Sequence, residues 1–167
     1  TDKFLHYGEN YLNILKHIYK QFFFVGSHPF EIQIGLNCLY LCFQKYNKKC
    51  PLKLCKQKIF IEIIKYLHKL LMHSDEDLYL ASAAASVLTH LARWKKETVQ
   101  YVFIRHNFIL SITNCFESLF EHSACYTQVT ALKIANYLLN VLTYVTCYLD
   151  KKYFCYGEQL IVMLCKL

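Results

Sequence analysis

Cysteine and histidine are the residue types in this chain best suited to metal binding or catalysis. The sequence contains nine cysteines and eight histidines, but no two cysteines form a CxxC pair. Cys50 and Cys55 in the segment CPLKLC are separated by four residues and have no second pair of ligands nearby. We therefore predict two structural thiols there rather than a zinc site, and neither a metal nor a cofactor for the chain as a whole.

The carboxylates and histidines also give no catalytic pattern. No HExxH, phosphate-binding loop or nucleophile elbow is present. The carboxylates concentrate in the run Asp75, Glu76, Asp77, which is typical of the start of a helix, where the helix dipole favours negative charge. His73 and His122 recur at matching positions of an internal repeat, as expected of a helix end. The sequence predicts a protein without enzymatic activity and without catalytic residues.

The cysteine pattern bears on the compartment. The number of cysteines is odd, and most of them sit among apolar residues at helical spacing, where a thiol behaves as a small buried hydrophobe. These are Cys38, Cys42, Cys115, Cys125, Cys147 and Cys165. We expect reduced thiols and a cytoplasmic location, in the cytosol or associated with the cytoskeleton, with the nucleus as the alternative. The longest uncharged apolar run, 134–149, is shorter than the roughly 20 residues of a membrane span, so no membrane insertion is expected.

Composition predicts the fold class. The chain has 167 residues, of which 55% are hydrophobic, and it contains only two prolines and four glycines. That hydrophobic content can bury a sizeable core, and the scarcity of turn residues favours helices joined by short loops over a β-sandwich. We predict a single all-α domain over residues 1–167.

An internal repeat with a period near 49 residues organises the helices. Residues 59–74 align with 108–123, and their apolar positions coincide at helical spacing. A second helix recurs as 32–39, 81–88 and 132–139, with a small residue at each of Gly35, Ala84 and Ala135 and leucine four positions later. Small residues at equivalent positions indicate close approach of helices within a stack.

This arrangement resembles the armadillo repeat. The best match joins a short helix and a second helix over 99–120 to an alanine-rich third helix over 130–142, which contains Asn140. The resemblance implies a right-handed α-solenoid of about three armadillo-like units. The units lie near 9–48, 50–94 and 98–148, and a terminal helix follows at 154–166. We also expect that the chain is a fragment of a longer array.

Caps and breakers place the individual helices. Pro29 suits the first turn of a helix, and the acidic run ending at Asp77 suits the start of another. The predicted helices are 9–25, 30–46, 58–73, 77–94, 98–105, 108–121, 126–148 and 154–166.

The resemblance implies that the last helices of successive units line one face. On these helices, polar side chains recur at i, i+4, i+7 and i+11 and form one stripe per helix. We predict that these stripes bind a partner, although solvated faces of amphipathic helices would give the same pattern. The predicted partner-binding residues are Gln33, Asn37, Tyr40, Gln44, Ser82, Ser86, Thr89, Arg93, Lys133, Asn136, Tyr137, Asn140 and Tyr144.

The function predicted is that of a scaffold for protein binding in a larger intracellular assembly, such as a centriolar or cytoskeletal one. The expected partner is another protein with an acidic or polar segment, helical or extended, and the repeat ends near 22–24 and 160–164 are candidates for self-association. A net charge of +7 and fourteen tyrosines make a nucleic-acid-binding module the alternative. It ranks second because the lysines, including Lys48, Lys49, Lys53 and Lys56, cluster in loops and at helix ends. A closed helical bundle with accidental periodicity is the third interpretation.

Overall fold

Every regular element in the described part of the computed structural model is helical. The model describes residues 2–24, 27–46, 52–73, 76–104, 111–112, 114–115 and 128–147, and no β-strand occurs within these ranges. The predicted all-α class is confirmed for this part of the chain. The α-helices that have defined bounds are α1 (Asp2–Phe22), α2 (Pro29–Tyr46), α3 (Leu52–Cys55), α4 (Lys58–Met72), α5 (Leu78–Ala92), α6 (Lys96–Val99) and α7 (Gln128–Thr146).

Two helix starts follow directly from the sequence signals. Helix α2 begins at Pro29, whose ring fixes a helical φ and whose missing N–H is not needed in the first turn. Asp77 is the N-cap of α5, and its carboxylate accepts hydrogen bonds from the backbone N–H groups of Tyr79 and Leu80, both at 3.0 Å. The cap satisfies two N–H groups that lack helical partners and places negative charge at the positive end of the helix dipole.

Other boundaries differ from the prediction. Helix α1 begins at Asp2 rather than near residue 9, and Gly8 lies within it because a glycine inside a helix costs only about 1 kcal/mol. The predicted helix 98–105 is instead the single turn α6 followed by a π-helical turn, Gln100–Ile104. Of the predicted helix 108–121, only 111–112 and 114–115 are described, as helical, and the predicted helix 154–166 lies outside the described residues.

Helices α2 and α5 pack side by side and run in the same direction. The ring of Tyr40 meets that of His90 edge to face, with centroids 4.4 Å apart, and the ring of Phe43 meets that of Trp94 at 5.3 Å. Residue numbers therefore increase in the same direction along α2 and α5, so the two helices are parallel.

Helix α7 packs on the other side of α5, again in parallel. The hydroxyl of Thr89 lies 3.4 Å from the backbone oxygen of Tyr137, and the guanidinium carbon of Arg93 lies 5.4 Å from the ring centroid of Tyr144. The contacting residues are separated by about the repeat period on both sides of α5. The helices α2, α5 and α7 therefore form a row in which equivalent repeat positions lie next to each other.

Helices α1 and α4 form a second row behind this one. Helix α1 packs against α2 and α4, and α4 packs against α5. Phe23, just after α1, stacks on Tyr66 of α4 with ring centroids 4.8 Å apart. Where α1 ends against α2, Gly35 allows the closest approach: a Cβ atom on Gly35 would lie only 2.5 Å from Cβ of Phe22. The small residue that recurs in the sequence thus lies at a helix contact in this unit.

The core is densest where the two rows meet. The rings of Phe43, Phe60 and Trp94 contact one another, with centroids 5.3 to 5.9 Å apart, and join α2 and α4 to the end of α5. Helix α5, in the middle of its row, is buried on most of its circumference. This is expected of a helix with neighbours on three sides.

The described cysteines are free thiols, but they are less uniformly buried than expected. Cys55 and Cys115 are buried, whereas Cys38 and Cys42 are half-buried on α2. Burial raises the pKa of the Cys42 thiol, the neighbouring Cys38 raises it further, and Lys45 opposes them. Cys147 is exposed, so its predicted place in the core is wrong. It lies directly after the last residue of α7.

No helix in the described part of the chain combines the length and the apolar character needed to cross a membrane.

Candidate binding groove

A groove crosses the N-terminal halves of α2, α5 and α7, and we call it the row groove. It encloses about 680 Å³, and all its lining residues belong to these three helices or to the α5 cap. The groove therefore exists because the three helices are parallel and in register, which brings the same portion of each to one surface. From the predicted stripes it contains Gln33, Asn37, Tyr40, Ser82, Ser86, Lys133 and Tyr137.

The polar residues on the α2 wall are arranged to present amide groups. The side chain of Gln33 donates to the side-chain oxygen of Asn37 at 3.4 Å, and both residues line the groove. Across from them, Ser82 and Ser86 are half-buried small residues of α5, which keep the groove open at its centre. The exposed Lys133 of α7 supplies a positive charge on the far wall.

The remaining predicted residues extend the surface beyond the row groove or lie elsewhere. Arg93 and Tyr144 form a cation–π pair next to the C-terminal ends of α5 and α7. Asn140 donates to the backbone oxygen of Asn136 at 2.9 Å and to its side-chain oxygen at 3.3 Å, so its amide N–H groups are engaged within α7. Gln44 is exposed at the end of α2. None of these residues lines the groove.

Thr89 is placed differently from its prediction. It is buried, and its hydroxyl donates to the backbone oxygen of Ala85 at 3.0 Å and approaches that of Tyr137 at 3.4 Å. The helical spacing that put Thr89 in a polar stripe was correct, but that position on α5 is covered by α7. A hydroxyl there is tolerated because helix carbonyls accept its proton. It joins two helices rather than presenting a contact to a partner.

Sequence reasoning missed the aromatic edge of the groove. Phe30 and Tyr79 both line it and leave about two-thirds of their surface exposed, 67% and 68%. They lie 49 residues apart, so they are equivalent positions of the repeat, at the starts of α2 and α5. The repeat period is the signal that could have identified them, because a stripe defined by polar residues leaves out these aromatic positions. Other lining residues outside the stripes are Pro29, Leu36, Asp77, Leu80, Ala83 and Thr130.

A buried histidine lies behind one groove residue. His90 is 8% exposed, contacts the ring of Tyr40, and its Nδ1 atom has no hydrogen-bond partner among the described residues. Burial lowers the pKa of His90, and the positive charge of Arg93 lowers it further. The neutral imidazole is therefore the form that fits between α2 and α5.

The basic cluster predicted from the sequence lies apart from the groove. Lys45, Lys56 and Lys58 are exposed near the end of α2 and the start of α4, and none lines the groove. Lys48 and Lys49 lie outside the described residues, and the side chain of Lys53 is not described. Within the described ranges, no group of three or more histidines, cysteines or carboxylates is placed to hold a metal ion.

The row groove is open to solvent and lined by amide, hydroxyl and aromatic groups and one exposed ammonium. Such a groove can bind a polar segment by hydrogen bonds and ring contacts.

Comparison with models of protein families, with curated proteins and with solved structures found no match to this chain.

Proposed function

We propose that the chain is a non-enzymatic scaffold of armadillo-like units, wound as a right-handed solenoid, that binds a polar or acidic segment of another protein in the row groove. The observation that carries the proposal is that three parallel helices, related by the sequence repeat, contribute equivalent positions to one continuous groove. A surface of this kind suits an extended ligand, since each unit contributes residues at equivalent positions to the next stretch of the groove.

The residue types of the groove support a protein ligand. Gln33 and Asn37 carry amides that can donate to and accept from a peptide backbone, and the half-buried residues Tyr40 and Tyr137 also line the groove. Tyrosine is enriched among residues that dominate binding energy at protein interfaces, because it brings a large contact area at modest cost in entropy. Clefts of about 300–1,000 Å³ hold drug-sized ligands, so the groove has room for a few peptide residues.

Charge supports an acidic or polar segment. The exposed ammonium of Lys133 faces the groove, whereas the lining carboxylate, Asp77, accepts two backbone hydrogen bonds of α5. The N-terminal ends of α2, α5 and α7 lie along the same edge of the row, which places their positive dipole ends together. An acidic group of the ligand near that edge gains from these dipoles and from Lys133.

The test uses peptides selected for binding to the whole chain from a displayed random library. We compare affinities for the wild type, Ser86→Trp, which fills the centre of the groove, and Lys133→Glu, which reverses its exposed charge. The matched control is Lys69→Glu, the same charge change at an exposed position of α4. We expect the first two to weaken binding by about tenfold or more, equivalent to about 1.4 kcal/mol, and the control to change it little.

Salt dependence separates this function from nucleic-acid binding. A random oligonucleotide is titrated at low and high salt against the wild type, Ser86→Trp and a variant with Lys48, Lys49, Lys53 and Lys56 replaced by alanine. Phosphate binding releases counterions, so a nucleic-acid binder loses both affinity and salt slope in the lysine variant. Tight oligonucleotide binding that needs these lysines and tolerates Ser86→Trp would refute the proposal, as would selected peptides that bind Ser86→Trp as well as wild type.

We further propose that the scaffold works in the cytoplasm as part of a larger assembly. The support for the compartment is that the described cysteines are free thiols, as a reducing compartment would keep them.

A further inference from the structure

Helix α7 exposes an apolar face whose equivalents in the preceding unit are buried. We call it the front face, formed by Val129, Leu132, Asn136, Leu139 and Thr143. All five are exposed, and Leu132 leaves 69% of its surface open. The repeat register, 51 residues earlier, assigns these positions to Leu78, Ala81, Ala85, Leu88 and Ala92 of α5, and all of these are buried. An apolar face is therefore covered in one unit and open in the next.

Helix α2 shows the reverse pattern. Its exposed face, the rear face, contains Ile34, Leu41 and Lys45, which are exposed, and Cys38, which is half-buried. Leu41 alone leaves 61% of its surface open. The equivalent positions of α5, 49 residues later, are Ala83, Val87, His90 and Trp94, and the last three are buried.

The contacts of α5 show what each face is built to meet. His90 and Trp94, on the rear face of α5, contact Tyr40 and Phe43 of α2. On its other side, Thr89 and Arg93 contact α7. The rear face of α5 thus packs on α2, and the opposite side of α5 packs on α7. Helix α5 buries most equivalents of both faces, whereas α7 exposes the front face and α2 exposes the rear face, at opposite ends of the described row.

The back row shows a similar difference near the α2 end. Ile14 of α1 leaves 40% of its surface exposed, while Ile63, its equivalent in α4 by the 49-residue period, is fully buried. Ile14 and the rear face therefore both lie on the unit formed by α1 and α2.

From these observations we infer that two copies of this chain associate head to tail, with the front face of α7 in one copy packed on the rear face of α2 in the next. The occupant is a second copy because it carries the matching face, and the new contact continues the α2–α5 and α5–α7 contacts by one further step. The front face carries no charged residue and the rear face only Lys45, at its end, so their association desolvates little charge.

Such a contact joins different surfaces of the two copies, so each dimer still offers one free front face and one free rear face. Heterologous contacts that do not close into a ring grow into open chains. The inference does not depend on what the row groove binds, since the two faces lie at the ends of the row.

The test is a mixing experiment with two blocked variants of the whole chain. Leu132→Arg blocks the front face and Leu41→Arg blocks the rear face, and sedimentation velocity measures the size of each alone and of an equimolar mixture. We expect the wild type to form concentration-dependent dimers and larger species, each variant alone to be monomeric, and the mixture to stop at a heterodimer. The heterodimer forms because the Leu41→Arg copy retains its front face and the Leu132→Arg copy its rear face.

Controls keep the outcome decisive. His73→Arg places the same side chain at an exposed position just after α4, outside both faces and outside the row groove, and should assemble like wild type. Val129→Arg is a second front-face variant in case Leu132→Arg fails to fold, as judged by circular dichroism. A monomeric wild type would overturn the inference. So would self-association of Leu41→Arg alone, which would indicate a symmetric front-to-front dimer, or a mixture of the two blocked variants that stays monomeric.

Discussion

Gly35 lies where the end of α1 presses against α2, and adding one methyl group there tests the packing of the two rows. In Gly35→Ala, the new Cβ atom would lie 2.5 Å from Cβ of Phe22 and 2.8 and 2.9 Å from two ring atoms of Phe23. Carbon atoms attract best at about 3.5–4.0 Å. The ring of Phe23 can rotate, but Cβ of Phe22 is attached to the backbone, so α1 and α2 must move apart.

Two opposing terms set the size of the effect. Overpacking a well-packed core costs typically about 1–3 kcal/mol. Replacing glycine by alanine within a helix returns about 1 kcal/mol from propensity. Because the closest contact involves an atom fixed to the backbone, we place the packing cost in the upper part of its range. Gly35→Ala should therefore lower the free energy of unfolding by about 1–2 kcal/mol.

Urea unfolding followed by circular dichroism measures this change from the shift in midpoint at constant slope. Asn37→Ala, on the exposed side of α2, is the matched control, since it alters helix propensity without a new contact and should stabilise by about 0.5 kcal/mol. If Gly35→Ala stabilised the chain as a simple gain in propensity would, the close approach of α1 and α2 would be refuted.

Two further predictions concern α5. Asp77→Ala removes the cap that accepts hydrogen bonds from two backbone N–H groups, and it should lower the free energy of unfolding by about 1 kcal/mol. Asp77→Asn should stay close to wild type, and equal losses in both variants would contradict a capping role. Burial holds the pKa of His90 below its ordinary value of 6.5, so protons bind the unfolded chain first and the free energy of unfolding should fall as the pH drops from about 7.5 to about 5.5. His90→Leu should flatten that decline in part, because burial also lowers the pKa of His68, and an unchanged slope would count against a buried neutral His90.

The helical class and the placement of equivalent helices on one face could be predicted, because the first depends on composition and the second on the period of the repeat. Pro29 marks a helix start by its ring and Asp77 by its side-chain carboxylate, whatever surrounds them. The π-helical turn after α6 could not be predicted, because its residues, 100–104, carry no local signal that separates it from an α-helix. The predicted start of α1 at residue 9 was wrong because Gly8 lies inside the helix, and a glycine alone does not mark a helix boundary.

The candidate site was predictable only in part, for a reason visible at Thr89 and Phe30. Periodicity fixes which residues share one side of a helix, and it placed Gln33, Ser82 and Lys133 on one groove. It does not say which sides a neighbouring helix covers. Thr89 is polar yet buried under α7, whereas Phe30 is apolar yet exposed on the groove edge. Whether Thr89 is buried and Phe30 exposed depends on how the helices are arranged in the folded chain, and the sequence pattern alone does not give that arrangement.

The aromatic cluster at the end of α5 gives this chain a built-in optical probe. Trp94 is the only tryptophan in the sequence, it is 2% exposed, and its indole N–H has no hydrogen-bond partner among the described residues. An indole shielded from water in this way fluoresces at shorter wavelengths than one in solvent. Because its ring contacts Phe43 of α2 and Phe60 of α4, the emission wavelength reports on the junction of three helices. The opening of that junction can be followed in the unmodified chain, without attaching a dye.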